Sequence, residues 1–151
     1  MTARPTLTRT RAQVYALVQA CPSGRVTTYG WLATAIGMVG HARLIGWIMA
    51  GTPAGAGVPA HRVVNSQGVL TGAWAFGPSD TMARLLEAEG VTFDAKGRVI
   101  MKTYAWDPVT DLSADERAAI LAGAEAAFAN LPTPDDLPPF LRDKDSPFRP
   151  A

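Results

Sequence analysis

The chain of 151 residues holds few side chains able to do chemistry. Its histidines are His41 and His61, and Cys21 is its one cysteine. That inventory leaves no disulfide framework, no cysteine-based zinc site and no multi-histidine metal site. No glycine-rich phosphate loop and no His-x-x-x-His pair occurs either, so no metal and no cofactor are expected. His61, Asn65 and Ser66 can be drawn as a hydrolase constellation, but three polar residues near one turn occur in most proteins. The most constrained stretch is Val58-Pro59-Ala60-His61-Arg62-Val63-Val64-Asn65. Pro59 fixes its own φ and pushes Val58 toward an extended conformation. The segment therefore predicts a rigid corner ahead of a short strand, Val63-Val64. Such a corner holds position 60 in one place, as a reactive group needs. Position 60 is alanine, whose methyl group can neither attack nor coordinate.

The elements that must carry this corner follow from periodicity and punctuation. Residues 1–8 read as a disordered lead-in. Over Thr10 to Ala20, Val14, Leu17, Val18 and Cys21 recur at helical spacing, and Pro22-Ser23-Gly24 stops the helix. Cys21 falls at the end of the apolar face and reads as a buried structural thiol rather than a reactive one. Thr28 is a good N-cap for a second helix with Leu32, Ala33 and Ile36 as its stripe and Gly37 as its stop. A third helix runs from about His41 to Ala50, with Ala42, Ile45 and Met49 inward. Two short helices joined by a Gly-flanked turn read as helix-turn-helix.

The outer face of that third helix carries Arg43 and Trp47, with Gly46 between them. A helix-interior glycine costs about 1 kcal/mol relative to alanine, which makes sense where another backbone approaches closely. A helix entering a DNA groove with an arginine fits this pattern. A solvated arginine on a helix packed tightly against its neighbour fits it equally well.

Beyond the corner, the Asn65–Thr71 turn would form a wing, followed by a loop with Trp74 and Phe76. Ser79 can cap a helix from Asp80 to Glu89, with Met82, Leu85 and Leu86 inward. Val91–Phe93 and Arg98–Met101 read as a hairpin. Ser113-Ala114-Asp115-Glu116 is a capping box opening an alanine-rich helix to about Asn130, with Ile120, Leu121, Ala124, Ala127 and Phe128 as its stripe. From Leu131 onward, prolines and acids predict an extended tail, in which Leu137, Phe140, Leu141 and Phe148 offer apolar contacts. The expected architecture is mainly α with short β strands: a winged helix-turn-helix-like domain over 1–107, an added C-terminal helix over 108–130 and an acidic, Pro-rich tail over 131–151.

Charge is divided along the chain. Residues 1–106 hold ten Lys/Arg against four Asp/Glu, and residues 107–151 hold four against nine. A basic body suits a polyanionic partner, although ordinary solvated charge gives the same counts. No apolar run approaches the roughly 18 residues of a membrane span and the start has no signal-peptide core, so a cytoplasmic, membrane-free monomer is expected.

The corner and the helix pair before it resemble the O6-alkylguanine-DNA alkyltransferases, whose Pro-Cys-His-Arg-Val signature carries the alkyl-accepting cysteine. With Ala60 at the cysteine position, the chain is similar to the alkyltransferase-like branch, which is not reactive. The resemblance runs from about Val14 to Asp107 and is best over Val26–Asn65. It implies a non-enzymatic protein that binds and flips O6-alkylguanine in duplex DNA and marks it for nucleotide excision repair. By resemblance, Tyr29 presses on the phosphate of the target nucleotide and Arg43 fills the vacated space. Thr28 and Gly46 belong to the same DNA-binding face. Val58, Pro59, Ala60, His61, Arg62, Asn65, Ser66 and Gly68 are the implied lesion pocket.

His61 and Glu89 match the pair that activates the thiol in the reactive enzymes. In this chain the pair is read instead as a polar contact tying the corner to a helix. Two departures stand out. Thr52 replaces a hinge asparagine, and no Lys or Arg lies between Arg62 and Arg84 to serve the wing. The alternative function is a helix-turn-helix transcription factor on undamaged DNA. Such a regulator needs several base-reading side chains, and His41–Ala50 offers chiefly Arg43.

Overall fold

The computed structural model describes residues 6–53, 55–73 and 80–131. The expectations made for Trp74, Phe76, Ser79, Leu137, Phe140, Leu141 and Phe148 fall outside that range.

Helix α1 (Leu7–Ala20) is the centre of the molecule. It starts three residues before its apolar periodicity does, because the Thr6 hydroxyl accepts from the Arg9 amide at 3.1 Å and caps it. Leu7 and Thr8 are therefore helical, not lead-in. Val14, Tyr15, Leu17 and Val18 are fully buried, and Cys21 closes the helix almost as deeply. Around α1 pack α2 (Tyr29–Ala35), α3 (Ala42–Ala50) and α6 (Ala114–Ala127). Thr28 caps α2 as expected, its hydroxyl accepting from the Trp31 amide at 3.1 Å. The inward face of α3 is Leu44, Ile45, Ile48 and Met49, while Ala42 is only half-buried. The wider stripe follows from α3 being covered by α1 and α2 together.

The sheet differs from the expected wing. Strand β1 (Thr27–Thr28) pairs in parallel with β2 (Val63–Val64), in the register Thr27↔Val63 and Thr28↔Val64. Both strands are fully buried, and Val64 meets Val26, Met82, Leu86, Val91 and Val99 in a second, smaller core. Only Met82 and Leu86 of α4 (Thr81–Ala88) reach that core; Leu85 is 40% exposed, because so short a helix presents one i, i+4 pair. The hairpin also shrinks. Phe93 and Val99 share one antiparallel bridge around a turn built on Asp94, and Met101 opens a one-turn helix, α5 (Met101–Tyr104). The chain turns there because the next segment joins the edge of β1. Val26 donates its amide to Tyr104 O at 2.9 Å, and Trp106 donates to Val26 O at 2.7 Å.

Helix α6 opens on the expected capping box between Ser113 and Glu116. It lies along α1, burying Ala124 and Phe128 and half-burying Ile120 and Leu121, with Ala127 exposed. The Phe128 and Tyr15 rings meet edge to face at 5.5 Å. Leu131 still packs against this core, so the packed body extends one residue past the expected boundary.

Candidate functional site

Position 60 sits where β2, α3 and α4 converge. Ala60–Arg62 form a single 3-10 turn leading straight into β2. The Ala60 methyl lines a cleft of about 400 Å³, within the range of small-molecule sites. Its other described walls are Met49 and Ala50 from the end of α3, then Thr52, Pro53, Gly55, Ala56 and Gly57, then Val58 and Pro59. Gly55 and Gly57 hold φ of 80° and 75°, the left-handed region that favours glycine. The 51–57 segment carried no periodicity and no reactive residue, so its part in the cleft had no signal beyond its small side chains.

Behind the corner, His61 and Arg62 turn away from the cleft toward Glu89. Arg62 Nε donates to Glu89 Oε1 at 3.0 Å, and Nη2 donates to Oε2 at 2.9 Å. His61 Nε2 lies 2.5 Å from Glu89 Oε2, and the Gly24 amide donates to Oε1 at 2.9 Å. Burial works against the carboxylate, but these donors outweigh it and hold Glu89 down at about 2. An ionised carboxylate only accepts, so Nε2 carries the proton and a neutral ring keeps its lone pair on Nδ1. Arg62 Nη1 also donates to Cys21 O at 3.0 Å, tying the end of α1 to the same knot. The Cys21 thiol stands apart from the cleft lining. It is 1% exposed, and burial pushes it up to about 12, against the pull of Arg62.

The turn after β2 is occupied structurally. Asn65 Oδ1 accepts from the Gln67 and Val69 amides at 3.0 and 2.8 Å. Gly68, at φ 82°, packs so closely on Val99 that a Cβ would sit 2.4 Å from its carbonyl oxygen. Neither Asn65, Ser66 nor Gly68 lines the cleft.

On the outer side, Arg43 is exposed on α3. The close neighbour of Gly46 is the Tyr29 ring rather than a backbone, and a Cβ there would meet it in ordinary contact at 3.9 Å. Tyr29 is half-buried. Its hydroxyl accepts from Thr71 Oγ1 at 3.4 Å, and burial raises its phenol against that bond. The structure thus joins Tyr29 and Gly46 on one side and buries Thr28, 2% exposed, behind them as the α2 cap rather than on an outer face, with Val58, Pro59 and Ala60 in the cleft and His61, Arg62 and Glu89 behind it.

Residues 9–91 match the family described as 6-O-methylguanine DNA methyltransferase, DNA binding domain. The chain belongs to that family. It is 34% identical over 96 residues to a DNA base-flipping protein of Vibrio parahaemolyticus, covering 64% of this chain and 94% of that one. It is 33% identical over 100 residues to alkyltransferase-like protein 1 of Schizosaccharomyces pombe, covering 64% and 93%. The crystal structure of S. pombe Atl1 in complex with damaged DNA containing O6-carboxymethylguanine superposes with a TM-score of 0.61 at 30% identity. That match covers 69% of this chain and all of the other. Among the described residues no cluster of His, Cys, Asp and Glu could hold a metal, and no helix is long and apolar enough to cross a membrane.

Proposed function

We propose that this protein binds O6-alkylguanine in duplex DNA, turns the base out of the stack into the cleft beside Ala60, and holds it unrepaired. The observation that carries this reading is a methyl group at the cleft wall with an intact His61–Glu89–Arg62 knot behind it. Repair by alkyl transfer forms an S–C bond and breaks the O6–C bond, with the electron pair leaving on guanine. A methyl carbon has no lone pair to begin that displacement. The cleft therefore serves as a receptacle. Flipping costs a few kcal/mol and least for a badly paired base, which favours the alkylated guanine before any contact in the cleft forms. Tyr29 and Arg43 are the residues assigned to the phosphate and to the vacated stack, with Gly46 beside Tyr29 and Thr28 supporting it as the α2 cap. A bound, unrepaired lesion benefits a cell only when a second system removes it, and nucleotide excision repair is the partner assigned.

Matched duplexes with and without one O6-methylguanine test the reading. Tighter binding to the lesion, with all labelled methyl remaining on the DNA, is the expected result. Equal affinity for the two duplexes, or label appearing on the protein, overturns it.

A further inference from the structure

Helix α6 lies outside the region that matches the family, yet one side chain connects it to the cleft. Tyr15 is fully buried in the middle of α1. Its ring takes the Phe128 edge at 5.5 Å and an interplanar angle of 69°, and the Arg11 guanidinium lies 5.9 Å from its centroid. Its hydroxyl points the other way, donating to Ile48 O in the last turn of α3 at 3.4 Å.

That last turn has carbonyls to satisfy. Gly51 follows α3 at φ −91° and provides no left-handed closure. Backbone amides close part of the turn, Gly51 N donating to Trp47 O and Ile48 O and Thr52 N to Met49 O, each at 3.2 Å, and two hydroxyls add to them: Thr52 Oγ1 donates to Met49 O at 2.7 Å, while Tyr15 donates to Ile48 O. The two hydroxyls are neighbours. Burial raises the Tyr15 phenol, and the Thr52 side chain and Arg11 pull against it. Thr52 is also the first cleft-lining residue past the end of α3, after Met49 and Ala50 within it. Past it, bonds among the described residues of the wall include Ala56 N to Pro53 O at 3.2 Å, Gln19 Nε2 to Gly57 O at 3.1 Å and Ala60 N to Val58 O at 2.8 Å. Thr52 thus sits where the wall leaves α3, bonded back to Met49 O through both its amide and its hydroxyl.

We infer that Tyr15 is a positioning residue for the cleft, passing the packing of α6 on to the end of α3 and to Thr52 and so keeping the wall in the shape that admits a flipped base. The inference rests on the base-flipping reading for its ligand, but not for its mechanics. Tyr15 has no exposed surface, so it cannot touch DNA, and any effect on binding must be transmitted.

Tyr15→Phe keeps the ring and its contact with Phe128 while removing the hydroxyl. In the full chain it should lower the preference for O6-methylguanine duplex by about five- to tenfold, leave affinity for undamaged duplex within about twofold, and speed amide exchange over Gly51–Gly57. Phe128→Ala should act in the same direction. The double variant should lose less than the two losses combined, as members of one chain of contacts do. Thr52→Val should reproduce the faster exchange and Thr52→Ser should retain the parent's. Parent-like exchange over Gly51–Gly57 in both Tyr15→Phe and Thr52→Val overturns the inference. A parent protein with no lesion preference sinks the base-flipping reading instead, and amide exchange still decides the role of Tyr15.

Discussion

Glu89 shows how much one carboxylate can hold. It accepts from three residues in two segments, Gly24 and the adjacent His61 and Arg62, and its side chain is 13% exposed. Its folded value of about 2 lies below the ordinary 4.5. A depressed carboxylate contributes stability that is complete above 4.5 and lost as pH falls toward 2, at most about 3 kcal/mol. Glu89→Gln should therefore flatten the acid limb of stability over that window in urea titrations at stepped pH, and destabilise the protein near neutrality. An unchanged acid limb would show that the knot holds no net energy. The proposed DNA contacts separate at the same scale. Arg43→Ala should weaken lesion binding by roughly 1–3 kcal/mol, the size of a lost stacking partner. Tyr29→Phe should cost about 1 kcal/mol or less, because the half-buried ring stays in place over Gly46. Fluorescence of 2-aminopurine beside the lesion reads extrusion directly, and parent-like extrusion by Arg43→Ala would remove the arginine from its assigned role.

Among the elements, the turn after β2 is the least tolerant of change. Gly68→Ala must accept both a left-handed φ and an atom 2.4 Å from Val99 O, so a loss of about 2–4 kcal/mol is expected in thermal or urea unfolding. A loss under 1 kcal/mol would mean the turn moves freely off Val99. This close contact also marks where sequence reading stopped. Signals confined to a few residues were legible: the Thr28 cap and the Ser113–Glu116 box rest on side chains bonding their own neighbours, and the Val63–Val64 strand on two β-branched residues behind a proline corner. Pairings across the chain were not. Nothing in Thr27–Thr28 announces a strand that pairs 36 residues on, and Val26 drawing Tyr104 and Trp106 to its edge turned an expected strand into α5. The cleft was half legible, since the Pro59 corner carries conformational constraint and the Ala/Gly wall carries none. Nothing in the residues around Arg62 announces that Glu89, 27 positions on, bonds its guanidinium.

For the whole molecule, the proposed polyanion partner sets a salt dependence. Log K for undamaged duplex should fall with log salt at about −0.9 per phosphate neutralised, while the preference for the lesion persists, because stacking and cleft contacts release few counterions. A preference that disappears with salt would make the discrimination electrostatic. The β1–β2 ladder bears on how such a molecule comes into being. Thr27 and Val63 must meet across a long excursion whose closure costs entropy, and two paired residues on each side offset little of it until α2 and α3 are formed. Val63→Ala is accordingly expected to speed unfolding more than it slows folding in stopped-flow experiments, and the reverse would place the ladder in the nucleus. On that order of events the helix bearing Arg43 is complete before the corner bearing Ala60 closes. If the proposed roles hold, a newly made chain would then pass through a stage in which it could grip any duplex and discriminate among none, selectivity being the last property it acquires.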